Sequence, residues 1–162
     1  MSNAMNIFAT SVSPAKSARY LDDQRVVKMI LESCQMLSTA AARVKYSGNL
    51  LRPTHDNHPC NIWVRSTSNN FLWLWEHALE LDAERQRRFK HSITHKSIEQ
   101  LNKAKIWKAV KLLQTGELEE FANCARNVGL GIDFTHVTPV TKAYRLYLKA
   151  RWAVSNPRFT EY

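Results

Sequence analysis

Asp22-Asp23-Gln24-Arg25-Val26-Val27-Lys28-Met29-Ile30-Leu31-Glu32-Ser33-Cys34-Gln35-Met36-Leu37 is the stretch on which the fold of this chain turns. It holds no Gly or Pro and consists mostly of good helix formers, so it predicts a helix. Wound at 100° per residue, Arg25, Lys28, Glu32, Gln35 and Thr39 fall in a stripe about 80° wide. Val26, Val27, Met29, Ile30, Leu31, Met36, Leu37, Ala40 and Ala41 take most of the remaining circumference. A surface helix shows the opposite balance, a moderate apolar stripe on a wide polar field. The pattern predicts a mostly buried central helix that turns one narrow charged seam toward a cleft. Charges between apolar walls have perturbed proton affinities more often than charges on an open face, which makes the seam the candidate site. The alternative is an ordinary ion-pair network, Arg25 and Lys28 to Glu32, along the helix's one solvated edge.

On either side of this helix the chain is punctuated by caps and breakers. Residues 5–10 alternate weakly and are read as a short N-terminal strand or an extended lead-in. Ser13-Pro14 reads as a cap followed by proline at the first helical position. Gly48 follows the central helix. Leu51 to Cys60 is a loop that packs His55, Asp56, Asn57 and His58 between Pro53 and Pro59. Polar groups gathered on a stiffened loop point to binding or catalysis. A short helix begins at Pro59. Ser68 is read as the cap of a long helix from about residue 69 to about 90, with Phe71, Leu72, Trp75, Leu79 and Phe89 on its apolar face. Ser97-Ile98-Glu99-Gln100 matches a capping box and predicts a third long helix ending at Gly116. Residues 117–124 are read as further helical turns, residues 127–137 as loop, and Thr138-Pro139 as the start of a last helix that Asn156-Pro157 stops. Together these predict an all-α, single compact multi-helix domain built around the central helix.

Length and charge narrow the function. The 162 residues suffice for one domain with a real core. Residues 1–4 read as an expression-tag remnant ahead of Met5, leaving residues 5–162 as the domain. No apolar run is long enough to cross a bilayer, and no signal peptide precedes the first helix. Three cysteines without close spacing (Cys34, Cys60, Cys124) argue for free thiols in a reducing cytoplasm, with no membrane partner. The net charge of +9 favours a polyanionic partner, DNA or nucleotides first. Five tryptophans interleave with the cations; at least three are assigned to the core. Oligomeric state is left open.

Three kinds of chemistry fit these residues to different degrees. His55, Asp56 and His58 would begin a metal site, but no further ligand set stands at recognisable spacing, so no metal and no cofactor is expected. Only four Gly exist and none forms a phosphate cradle. Glu76, Glu80 and Glu84 recur one turn apart, as a metal-dependent nucleotide pyrophosphohydrolase would require, and equally as a solvated face would. Base excision needs an amine to attack the sugar's anomeric carbon, a carboxylate to stabilise the cationic sugar, and cations for the phosphates. Lys28, Glu32 and Arg25 supply that set along one seam. A non-catalytic nucleic-acid-binding module remains the alternative to both enzymes.

The run Leu21-Asp22-Asp23-Gln24-Arg25-Val26-Val27, with Glu32, resembles the early helix of the phage pyrimidine-dimer DNA glycosylases of the endonuclease V type. Those enzymes carry Leu-x-Asp-Gln-His-Leu-Met and a catalytic Glu seven residues after the His. Arg25 stands at the place of that phosphate-contacting His, and Glu32 at the place of the catalytic Glu. Asn70-Phe71-Leu72, opening an aromatic helix with Arg-rich last turns, is a looser likeness. Along nearly the whole chain the sequence is similar to a group of small phage-encoded proteins with no activity attached to them. It shares Met5-Asn6-Ile7-Phe8, Val26-Val27-Lys28-Met29, Asn57-His58-Pro59, His95-Lys96-Ser97 and Ala143-Tyr144-Arg145-Leu146-Tyr147 with them. The glycosylase resemblance implies an α-amine nucleophile on a small residue exposed by methionine removal. Here the large Asn6 follows Met5, and Leu31 replaces the family's arginine before the Glu, so the Met5 amine or Lys28 would have to substitute.

The expectation is a DNA- or nucleotide-acting phage-type protein, glycosylase-like if an enzyme. Glu32 and Lys28 are the expected catalytic pair; Arg25, His55, Asn57, His58 and Arg65 are expected to bind substrate. Arg87, Lys103, Lys105 and Lys108 are expected to contact the nucleic-acid backbone without sequence preference.

Overall fold

The computed structural model describes residues 5–161; the segment read as a tag remnant, residues 1–4, lies outside them. The architecture is all-α, and the predicted central helix is its axis. Helix α1 (Pro14–Arg19) starts at Pro14, with the Ser13 side chain accepting from the Lys16 amide. Helix α2 (Asp23–Arg43) is capped by Asp22, whose carboxylate accepts from the Arg25 amide. Helix α3 (Pro59–Ser66) and helix α4 (Ser68–Phe89) follow, with α4 capped by Thr67, one residue earlier than the sequence suggested. Helices α5 (Lys96–Lys103) and α6 (Val140–Ser155) complete the set. Helix α2 packs against α3, α4 and α5, and α1 lies on α4. Val26, Ile30, Cys34, Met36, Leu37 and Ala41 of α2 are fully buried among Phe71, Leu74, Ala78 and Leu81 of α4 and the other core residues. Trp63, Trp73 and Trp75 belong to that core.

Several expectations are corrected where tertiary partners outweigh local pattern, and of the two readings of residues 5–10 the lead-in is the one the chain adopts. Residues 5–10 form no strand. They run as a buried lead-in kinked at Phe8, which takes a left-handed conformation (φ 53°), and their backbone is satisfied by side chains: Asn6 Oδ1 accepts from the Ile7 and Phe8 amides, and the Thr10 amide donates to Ser17 Oγ. The third long helix breaks at Lys105, which takes a left-handed conformation (φ 52°), and continues only as a 3₁₀ segment over Ile106–Leu112. Its start is capped by the His95 ring, which accepts from the Ser97 amide, in place of the capping box. Residues 117–124 are not helical, because the α3–α4 junction takes their backbone groups. Thr67 Oγ1 donates to the Glu117 carbonyl, and the Glu119 amide donates to Asn70 Oδ1. The stretch read as loop instead holds a small antiparallel pair, β1 (Arg126–Asn127) with β2 (Ile132–Asp133). On α4, Leu79 and Phe89 are exposed, while Trp73, Leu74, Ala78 and Leu81 make the buried face.

The chain's two ends converge on α2. At the front, the Asn6 amide donates to Glu32. At the back, Asp23 accepts from the Thr160 amide and hydroxyl, and the Asp23 amide donates to the Arg158 carbonyl. Helix α6 is held beside them by Phe8, which meets Tyr144 edge-on and stacks on Tyr147.

Candidate active site around Glu32

The open edge of α2 is rotated relative to the predicted seam. Gln24, Val27, Lys28 and Leu31 are the exposed residues, with Val27 at 40% and Leu31 at 43%. The cause is residues 5–10, which cover the neighbouring edge and leave Glu32 beneath them. Thr39, placed on the seam by the helical wheel, is buried and holds the 51–58 loop, exchanging hydrogen bonds with Thr54.

Glu32 is as enclosed as Arg25, the side chain of each 14% exposed. Its Oε1 accepts the Asn6 backbone N–H at 3.2 Å, and its Oε2 lies 3.9 Å from Lys28 Nζ. Burial raises its proton affinity; the Asn6 amide, Lys28 and the nearby His55 oppose that without cancelling it. Lys28 is 64% exposed, so its amine is free to swing. Arg25 is fixed by Asp22 at 2.9 Å and lies over the Phe8 ring. Asp22 in turn accepts from Trp152 Nε1. Arg25 and Lys28 line a cavity of about 180 Å³ together with Phe8, Gln24, Met29, Asn127 and Arg151. Three cations on one small cavity suit phosphate oxygens.

The proline-bracketed loop divides its residues between different tasks. His55, held in a left-handed conformation with its Nδ1 2.7 Å from Thr54 Oγ1, is close enough to Glu32 to affect its ionisation. His58 turns away: its ring accepts from the Cys60 amide and caps α3. Asn57 is exposed. Arg65 braces the loop through the Asp56 carbonyl at 2.6 Å, and Arg43 pairs with the Asp56 carboxylate. Arg65 lines a separate cleft with Arg43, Thr67 and Gln114. Arg25 and Lys28 thus share a cavity that neither Glu32 nor His55 lines; Lys28 links it to Glu32, His55 acts on Glu32 from the other side, Asn57 and Arg65 lie apart, and His58 is spent on capping α3.

The remaining candidates lie farther off. Tyr46, just past the C-terminal end of α2, donates its hydroxyl to the Ala104 and Lys105 carbonyls. Lys103, Lys105 and Lys108 thus lie at the far end of α2; from Lys28 to that end is about 22 Å of helical rise. Arg87 is paired with Glu84. Glu84 also grips Arg88, so the row Glu76, Glu80, Glu84 does not converge on a common point. Asn6 and Arg151 are the site residues that the pattern of the sequence missed, since each reaches the site only through tertiary packing.

Among the described residues, one group could hold a metal ion: His58, Cys60 and Cys124. No helix among them is long and apolar enough to cross a membrane. The family model described as pyrimidine dimer DNA glycosylase matches residues 5–97, which include Asn6, Arg25, Lys28, Glu32 and His55. No curated protein and no solved structure matches the chain.

Proposed function

The chain belongs to the pyrimidine dimer DNA glycosylase family, and on that premise we propose that it excises a damaged base from DNA beside Glu32, with the adjoining cavity of Arg25, Lys28 and Arg151 taking the phosphates. The observation that carries this reading is the 3.2 Å approach of the Asn6 backbone nitrogen to Glu32 Oε1. Base excision through an imine needs a primary amine at the sugar's anomeric carbon and a carboxylate beside it. The Asn6 nitrogen is an amide while Met5 precedes it, and it becomes a primary amine only if Met5 is cut away, a step that the size of Asn6 disfavours for simple methionine removal. Met5 itself is buried, with its sulfur 3.4 Å from Asn61 Nδ2. Its removal would open space at the amine, against the loop that carries His55. Lys28 Nζ is the second candidate amine and needs no processing.

In this mechanism the amine attacks the anomeric carbon and the base leaves with the electron pair of the glycosidic bond, taking one of the amine's protons; the bond from the anomeric carbon to the ring oxygen then breaks, that oxygen takes the second proton, and the imine forms. Glu32 stabilises the cationic sugar and takes up a proton. Arg25, Arg151 and Lys28 hold the flanking phosphates, and His55 contacts the sugar or base. Arg87, Lys103, Lys105 and Lys108 add backbone contacts away from the cavity.

Borohydride trapping on a duplex with a pyrimidine dimer or an abasic site tests the proposal. Chains starting at Met5 and at Asn6 are compared, each with and without Lys28→Ala. A covalent adduct confined to the Asn6 start assigns the α-amine, and one that needs Lys28 assigns the side chain. If no form gives an adduct while duplex binding persists, the protein is a binding module and the lyase chemistry is wrong.

A further inference from the structure

Cys60 and Cys124, far apart in sequence, are neighbours in space. Their sulfurs and a ring nitrogen of His58 all lie within 4.8 Å of one another. Both thiols are free. Independent contacts set each arm. Cys60 occupies the first turn of α3, right after Pro59, where its amide is capped by His58 at 3.0 Å. Cys124 is fixed from α6, because its amide donates to the Tyr144 hydroxyl at 2.9 Å, and Asn6 Nδ2 donates to its carbonyl. Contacts of the fold itself therefore bring the three donors together.

We propose that His58, Cys60 and Cys124 form a binding site for one thiophilic divalent cation, zinc foremost, directly behind the Asn6–Glu32 pair. Two thiolates and an imidazole are the donor set that zinc prefers among side chains. Two thiolates also cancel the ion's double charge, which a mostly buried site requires. With bonds of about 2.3 Å to sulfur and about 2.0 Å to nitrogen, tetrahedral ligands stand just under about 4 Å apart. The three donors therefore need to close by no more than a side-chain adjustment.

Binding displaces two thiol protons to solvent and forms two metal–sulfur bonds, with no change of oxidation state. His58 must release the Cys60 amide or use its other nitrogen, so it is the weakest of the three ligands. Three protein ligands leave the fourth position to water or an incoming oxygen. An ion here would tie the start of α3 to the chain segment that leads into β1, and would add positive charge near Glu32, whose field Cys60 already feels.

Cobalt(II) or zinc(II) alone, titrated into the reduced full-length chain, provides the test. The expected result is one cobalt per chain, with thiolate-to-cobalt charge-transfer bands and intense tetrahedral d–d bands that zinc abolishes. Cys60→Ser and Cys124→Ser should each lower affinity by more than the roughly 10- to 100-fold that loss of an outer ligand-orienting partner costs. His58→Ala should lower it less. Cys34→Ser, whose thiol is buried elsewhere on α2, should bind as the unaltered chain does. Circular dichroism identifies any variant that fails to fold, and the two cysteine variants serve as each other's check. Absence of the bands in the reduced protein overturns the site, as do bands that survive both cysteine substitutions. A fall of two hydrogens in mass on exposure to air, with no cobalt bound after re-reduction, would mark a redox-active thiol pair and overturn it equally. None of these readouts uses DNA, so the result stands apart from the glycosylase proposal.

Discussion

Glu32 is held between opposing influences, and its ionisation should govern the acid limb of any reaction it supports. Burial raises its pKa above the ordinary 4.5, against the Asn6 amide, Lys28 and His55. The ionised form is the one that stabilises a cationic sugar, so activity is lost as pH falls through this raised value. The midpoint of the acid limb in a pH profile of adduct formation should therefore lie above that of a free glutamate. Lys28→Ala removes one of the opposing charges and should move the limb further up, in the form where the α-amine is the nucleophile. Glu32→Gln should slow adduct formation by about 10²- to 10⁴-fold, the range of a positioned acid–base group, with duplex binding retained. Glu32, Lys28 and Arg25 were legible in the sequence because helical spacing alone puts them on one side of α2. Asn6, Arg151 and Cys124 were not, since only the folded chain brings them to Glu32 or to His58 and Cys60. The division of the 55–58 loop also escaped the sequence. Nothing in His55-Asp56-Asn57-His58 says that His58 caps a helix or that Asp56 is spent on Arg43 and Arg65.

Between elements, the firmest polar joint is Arg88 of α4, its side chain 4% exposed between Glu84 and Asp23. It also donates to the Arg19 carbonyl at the end of α1, so one guanidinium ties α1, α2 and α4 together. Arg88→Ala leaves two acids without this partner in a buried place and should cost about 3–5 kcal/mol in urea unfolding. Asp23 adds a pH signature. Burial would raise its pKa, but the Thr160 hydrogen bonds and Arg88 outweigh it and hold the value low. A carboxylate depressed in the folded state stabilises above its unfolded pKa and loses that contribution as pH falls through the folded value. Asp23→Asn should therefore lower stability at neutral pH and flatten its decline into acid. The Asp56 brace is a milder joint, since Arg43 and Asp56 are about half exposed. Arg65→Ala should quicken amide exchange in residues 54–58 while changing global stability by less than about 1 kcal/mol. The helices α1 to α4 were legible because caps, prolines and apolar spacing agree there; α6 was legible from its proline and apolar spacing, but Pro139 and not Thr138 is its N-cap and no side chain caps it. The broken third helix and the 117–124 segment were not. Lys105 and the Asn70 and Thr67 side chains override local propensity at those places.

At the scale of the whole molecule, the charge of +9 should make duplex binding steeply salt-dependent. Removing one cation that neutralises a phosphate lowers the slope of log affinity against log salt by roughly 0.9. Replacing Lys103, Lys105 and Lys108 together with alanine should lower that slope by up to about 2.7, if a duplex runs the length of α2, and leave adduct formation at low salt unchanged. Arg25→Ala with Arg151→Ala should instead weaken both binding and adduct formation, because both line the cavity beside Lys28 that takes the flanking phosphates in the proposed reaction.

The hydrogen bonds from Thr160 to Asp23 carry a consequence for biosynthesis. On a ribosome, the first turn of α2 is made 137 residues before Thr160, which engages its acidic end. A nascent chain halted short of Arg158 would hold its central rod with a loose, unsatisfied head. A protease present during translation should cut near residue 23 in such arrested chains and spare the released product.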